Sequence, residues 1–341
     1  MIPHSRPSFD DRFIHAVGKV LRSAYTAEGE QSRQLEQQVL TQCNQPDAVA
    51  VDSGTSALML AIRALQTQQT IQKVGIPAYA CASLWFAVHA AGCMPVLMDC
   101  GEDLRLDVDH AWKLSPTLDA VILVHPFGMV EPLIAEAWDC PVIEDIAQAA
   151  GAIFQNQAIG SFGDISITSF YATKPWGGAY GGMVLGSHEI CDTVRMMSHP
   201  DDVNLSLPYV GHHQLSNMHA ALALIRLQSV NSEEKSRQQL MQWLDMTLSK
   251  SLQQSIAHRK QGNAFRYIVR IDGDVDLCLQ ALHAEGIDAA RPVQLPLSYA
   301  GEAVLCGAKK AWGNCVSLPV LSDMSTDEYV AYAQGLSVCF P

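Results

Sequence analysis

Residues 141–182 read PVIEDIAQAAGAIFQNQAIGSFGDISITSFYATKPWGGAYGG. An apolar run ends on an acidic residue, Asp145, and a polar side chain, Gln148, follows three positions later. A second run, Ile165 to Tyr171, alternates in polarity as a strand does and stops just before Lys174. Pro175 confines Lys174 to extended or turn backbone. Gly177, Gly178, Gly181 and Gly182 then let the chain pass close to a ligand. They do not form a P-loop, because none precedes the lysine at the required spacing.

Working outward, Asp47 to Val51, Val74 to Pro77, Pro95 to Met98, Ala120 to Val124, Pro141 to Ile143 and Met183 to Leu185 read as further strands. Helical spacing covers Phe9 to Arg22, Ser32 to Gln42 and Ser83 to Ala91. Strands alternating with helices predict an α/β fold with a mostly parallel sheet covered on both faces. Ligands of such sheets sit beyond the carboxyl ends of the strands. Asp145, His125 and the turn at Gly54 all fall at such ends, and Lys174 lies just past another.

The Gly54 turn, Asp52-Ser53-Gly54-Thr55-Ser56, leads into the helical ALMLAIRAL. Gly54 permits a tight turn, and Thr55 or Ser56 is expected to cap the helix. Free N–H groups at a helix start make a phosphate cradle, although a capped helix without a ligand reads the same way.

From Leu215 to Leu227 the pattern is helical, continuing after a polar break through Trp243 to Leu252. An alternating strand at Phe265 to Ile271, a helix at Leu277 to Ala284, a strand at Val316 to Val320 and a helix from Thr326 to Val338 complete the chain. This predicts a large domain over 1–229 and a smaller C-terminal α+β domain over 230–341.

The formal net charge of −13, without a lysine or arginine run, argues against a nucleic-acid groove or an anionic membrane surface as partner. Ten cysteines lack a metal-type CxxC pair and read as reduced thiols of a cytoplasmic protein. No apolar run approaches the roughly 18 to 20 residues that cross a bilayer. No metal site is expected.

In chemical terms, a lysine that forms a Schiff base must reach a buried carbonyl and titrate below its solution value, which desolvation achieves. A carboxylate at Asp145 can keep a pyridine nitrogen protonated, so that the ring withdraws electrons from a carbanion at the amino carbon. Gln148 can reach the ring's phenolic oxygen, and Ser169 offers a hydroxyl to a phosphate. Taken singly, these residues also read as a loop lysine, an acidic strand end and a strand serine.

Taken together, the motifs resemble the DegT/StrS-type sugar aminotransferases, which have the fold-type-I pyridoxal-phosphate architecture. The resemblance rests on SGTSAL (53–58), IPAY…AGCMPVLMD (76–99), VHPFG (124–128), VIEDIAQAAGA (142–152), GSFGDIS…SFYATK (160–174), GGMVL (181–185) and SLPVLSDMSTDE (317–328). It implies pyridoxal 5'-phosphate as cofactor, with Lys174 as Schiff-base lysine and proton shuttle and Asp145 on the pyridinium. Gln148 falls near the phenolic oxygen, and Gly54, Thr55, Ser56 and Ser169 around the phosphate.

It also implies an amino donor, commonly glutamate, a keto-sugar acceptor, commonly nucleotide-linked, and a homodimer with shared sites. The position that usually stacks an aromatic ring on the cofactor is Cys81 here, with Tyr79 two residues before it. The segment VGHHQLSN (210–217) stands where relatives send an asparagine and an arginine into the partner's site, which places His212 and Gln214 there. Relatives that dehydrate sugars carry a histidine at the lysine position, and the retained Lys174 speaks against that reaction. A cofactor-binding sensor is the alternative reading.

Overall fold

The computed structural model describes residues 1–200, 207, 209–248, 262–299 and 305–340. Helices α1 (Asp11–Ser23) and α2 (Glu30–Cys43) lead into strand β1 (Asp47–Val51). Next come α3 (Gly54–Gln68), β2 (Lys73–Pro77), α4 (Ser83–Ala90), β3 (Met94–Met98), α5 (Val108–Leu114), β4 (Ala120–Val124) and β5 (Val142–Asp145). A short hairpin, β6 (Ile153–Phe154) and β7 (Gln157–Ala158), precedes β8 (Ile165–Ser169), β9 (Gly182–Gly186), α6 (His188–Ser198) and the long α7 (Asn217–Thr247). The remainder comprises β10 (Tyr267–Arg270), α8 (Val275–Ala284), α9 (Cys306–Asn314), β11 (Cys315–Leu318) and α10 (Thr326–Cys339).

Seven strands form one sheet in the order β1-β9-β8-β5-β4-β2-β3. The pairs from β3 through β2, β4 and β5 to β8 are parallel, while β9 runs antiparallel to both β8 and β1. Both faces are covered, and the alternation within each strand shows it. Val49 and Val51 enter one apolar cluster and Ala48 and Ala50 the other; Ile122 and Val124 oppose Val121 and Leu123 in the same way. A third cluster gathers Leu240, Leu244, Tyr267, Val269, Val316, Leu318, Tyr332 and Leu336 with Ile2 from the other end of the chain.

Three expectations change. The helix of 215–252 has no break: α7 runs unbroken from Asn217 to Thr247, and the expected end at Leu252 lies outside the described residues. Glu233 holds its polar middle in place, pairing with Arg226 at 2.5 Å and with Arg237 at 3.6 Å. The cap of α3 is neither Thr55 nor Ser56 but Ser53, whose Oγ accepts the Ser56 N–H at 3.1 Å. Gly177, Gly178 and Gly182 after Lys174 serve close approach between backbones: a Cβ on Gly178 would lie 2.6 Å from the Ala223 nitrogen of α7, and one on Gly182 would strike the Ser53 carbonyl.

Candidate active site

The parallel strands aim their carboxyl ends at one edge of the sheet, and the predicted residues collect there. The register explains part of this: Gly182 pairs with Val51 on one side and with Ser169 on the other. The turn that follows β1 is thereby pressed against the end of β8, so that a Cβ on Gly54 would lie 2.9 Å from Ser169 Cβ. Ser53 takes up the Ser56 N–H, while the N–H groups of Gly54 and Thr55 donate to no described group. Two open N–H groups at a helix start, beside a serine, fit an anion.

Asp145 ends β5 almost fully buried. Its Oδ1 accepts the Ala147 N–H at 2.9 Å, and its second oxygen accepts nothing among the described residues. Burial raises its pKa above the ordinary carboxylate value, against the Ala147 hydrogen bond and the charge of Lys174. Lys174 sits in a tight turn, with its N–H on the Tyr171 carbonyl and its own carbonyl receiving the Gly177 N–H. Its ammonium donates no hydrogen bond among the described residues and lies 5.4 Å from the centre of the Phe265 ring. Burial pulls its pKa below the usual lysine value, opposed by Asp145 and Cys81 and assisted by Arg266.

A cavity of about 380 Å³ opens at Lys174, lined by Tyr79, Cys81, Phe127, Gln148, Phe265 and Arg266 among others. Tyr79 is buried and packs edge-on against Phe127, with ring centres 5.8 Å apart. Cys81 is exposed, its sulfur 3.3 Å from Ser83 Oγ. Gln148 Oε1 accepts the Phe127 N–H at 2.9 Å, which leaves its amide NH2 as a donor. Phe127 adopts a left-handed backbone, φ 59°, a conformation that costs a bulky residue about 1–3 kcal/mol and that this hydrogen bond helps to hold.

Beneath Asp145, its neighbour Glu144 is wholly buried. It accepts hydrogen bonds from the backbone of Gly160, Phe162 and Gly163, from Ser166 Oγ and from His125 Nε2. Burial works to raise its pKa, and these donors outweigh it, holding the carboxyl below its ordinary value. His125 Nδ1 accepts the Glu131 N–H at 3.0 Å, so Nε2 bears the proton that it gives to Glu144. His125 therefore anchors the strand end.

Lys174, Gln148, Tyr79 and Cys81 line the cavity; Gly54, Thr55, Ser56, Ser169 and Asp145 stand at the same sheet edge outside that lining. His212 is exposed. Its neighbour His213 bonds Asp52 at 3.2 Å and Tyr209 at 2.5 Å, while Gln214 bridges to Val51. Phe265 and Arg266 were not anticipated at the cavity. An arginine in an alternating strand, FRYIVRI, was the available signal, but the pattern does not say which face meets the site.

A pyridoxal phosphate fits these residues on structural grounds. Asp145 presents a buried oxygen that accepts nothing among the described residues and suits a pyridinium N–H, and Lys174 an amine of lowered basicity without a hydrogen-bond partner among them. Gln148 presents a donor for a phenolic oxygen, and the Gly54–Thr55 N–H groups a seat for phosphate. Among the described residues no cluster of His, Cys, Asp and Glu could hold a metal, and no helix is long and apolar enough to cross a membrane.

Comparison with known proteins agrees. Residues 7–334 match the DegT/DnrJ/EryC1/StrS aminotransferase family. A UDP-N-acetyl-3-dehydro-alpha-D-glucosamine 3-aminotransferase of Acidithiobacillus ferrooxidans is 29% identical over 301 residues, which span 84% of this chain and 80% of that protein. Helicobacter pylori PseC, an aminotransferase of pseudoaminic acid biosynthesis, superimposes with a TM-score of 0.89 at 20% identity, over 99% of both chains. The PLP form of Spr1654 from Streptococcus pneumoniae, a sugar aminotransferase by its description, superimposes with a TM-score of 0.85 at 21% identity, over 100% of both chains.

Proposed function

Given that the chain belongs to the DegT/DnrJ/EryC1/StrS aminotransferase family, whose members are pyridoxal-phosphate-dependent transaminases, we propose that it moves an amino group from glutamate to a keto-sugar carried on a nucleotide. The observation that carries this reading is the Lys174–Asp145 pair. A buried carboxylate and a half-buried amine at the same sheet edge, each short of partners among the described residues, suit the basic nitrogen and the carbonyl of one ring. The cofactor, when bound, supplies the electron sink for the carbon that gains or loses the amine.

The chain's own residues do the rest. Lys174 Nζ would hold the cofactor's carbonyl and would serve as the base that carries the proton of the carbon gaining or losing the amine. Asp145 keeps the ring nitrogen protonated, and Gln148 donates to the ring oxygen. The N–H groups of Gly54 and Thr55, with the hydroxyls of Thr55, Ser56 and Ser169, hold the phosphate. Either Tyr79 or Cys81, both of which line the cavity, would stack on the ring. The exposed His212 is offered to a partner's site, and the protein acts as a cytoplasmic homodimer making amino sugars for polysaccharides. The third apolar cluster supports a smaller domain over 230–341 beside the large one over 1–229, with Ile2 crossing to it.

The purified protein is expected to be yellow, and borohydride to fix the cofactor to Lys174. Lys174→Ala loses the reducible bond. Glutamate bleaches the visible band, and a keto-sugar nucleotide restores it. A colourless protein that borohydride cannot label with pyridoxal phosphate overturns the enzyme reading. A yellow protein that no amino acid bleaches is a cofactor-binding sensor instead.

A further inference from the structure

Four arginines, Arg6, Arg226, Arg237 and Arg266, line a small second cavity that shares Lys174 with the first. Three have carboxylate partners. Arg6 pairs with Glu328 and lies 3.5 Å from Asp323, Arg226 lies 2.5 Å from Glu233, and Arg237 reaches Glu233 at 3.6 Å and Glu234 at 3.8 Å. Arg266 has none among the described residues. Its Nη1 donates to the His4 carbonyl at 3.3 Å and to Ser5 Oγ at 3.0 Å, which orients the guanidinium, while Nε and Nη2 donate to no described group.

Arg266 is also the arginine that lines both cavities. Its guanidinium carbon lies 4.6 Å from the centre of the Phe265 ring, and Lys174 Nζ lies 5.4 Å from the same centre. The two cations are therefore no more than about 10 Å apart. Burial alone pulls Arg266 down to about 10, with no carboxylate to oppose it. A cation held half-buried without a counter-charge is costly unless a ligand supplies one.

Resting on the transaminase reading, we propose that Arg266 binds the α-carboxylate of the amino donor. An amino acid whose nitrogen takes the place of Lys174 Nζ carries its carboxylate two bonds away. A forked pair of charge-assisted hydrogen bonds of about 2.8 Å would join that carboxylate to a guanidinium lining the same cavity. Near the reacting carbon the donor alone bears a charge, since a keto-sugar presents neutral hydroxyls there. The open Nε and Nη2 offer the two donors that such a fork needs.

The test uses the cofactor-loaded protein and two amines that bind without turning over or lack the recognised group. 2-Methylglutamate has no α-proton, so its effect on the visible band reads affinity rather than rate. 4-Aminobutanoate keeps the amine and the distal carboxylate but lacks the α-carboxylate. The wild type is expected to bind 2-methylglutamate at least about 10-fold more tightly than 4-aminobutanoate. Arg266→Met loses that preference, and Arg266→Lys, which keeps the charge but not the fork, retains part of it.

Borohydride-reducible colour persists in both variants, since Arg266 holds substrate and not cofactor. Should Arg266→Met fail to fold, an unchanged preference in Arg266→Lys counts against the assignment. It is overturned if Arg266→Met, with its colour intact, binds 2-methylglutamate as the wild type does. It is equally overturned if calorimetry shows the variant weakened only toward UDP-N-acetylglucosamine, which makes the anion a sugar phosphate. A colourless wild type takes down the transaminase reading and this assignment together.

Discussion

Lys174 and Asp145 each temper the effect of burial on the other's protonation. Burial lowers the lysine and raises the carboxyl, and each charge resists the other's shift. Only the neutral amine attacks a carbonyl, and its fraction grows as pH rises through the lysine pKa. Colour development when apoprotein takes up pyridoxal phosphate should therefore accelerate with pH and level off below about 10.4, the ordinary lysine value. Asp145→Asn removes the charge that favours the ammonium, so its plateau should come at lower pH than the wild type's. Stopped-flow absorbance against pH checks both, and a plateau displaced upward in the variant contradicts the coupling. At this scale the sequence put forward Lys174, Asp145 and Gln148 as candidates, because their spacing at strand ends ties residue type to position. Arg266 was out of reach, because its role depends on lacking a carboxylate partner, and partners come from elsewhere in the chain.

Strand β9 does more than close the sheet. Running antiparallel between β1 and β8, it brings Gly182 against the first turn of α3 and thus sets how closely Gly54 approaches Ser169. Any Cβ at 182 meets the backbone of Ser53, with the Gly54 nitrogen 2.7 Å away, and neither can swing aside. Gly182→Ala should destabilise the fold by about 1–3 kcal/mol through overpacking and weaken the hold on pyridoxal phosphate. Gly313→Ala in α9, where a Cβ meets nothing within 4 Å, is the control and should be neutral or slightly stabilising. Urea unfolding and equilibrium dialysis of the cofactor read the two effects. The strands were legible as elements because both buried faces write apolar runs. The Ser53 cap was not, since Ser53, Thr55 and Ser56 are all good caps and the backbone path selects among them.

On the scale of the molecule, the cavity is walled by Tyr79, Phe127 and Gln148 from the sheet edge and by Phe265, Arg266 and Val293 from the C-terminal part of the chain. Exposed apolar side chains on and beside α1, among them Ile14, Leu21 and Tyr25, support the expectation of a second copy. Sedimentation of the cofactor-loaded protein should give twice the chain mass; a stable loaded monomer counts heavily against the dimer. The amino-acid sequence by itself determined the α/β class and the order of strands and helices, and it put forward Lys174 and Asp145 as the candidate cofactor lysine and carboxylate. These follow from local periodicity and from chemistry carried on short motifs. Only the tertiary structure decided which side chains from distant segments share the cavity, that β9 reverses direction, and that Arg266 shares a cavity with Lys174 without a carboxylate partner among the described residues. Those facts depend on long-range packing and on the balance of burial against pairing, which no local pattern records.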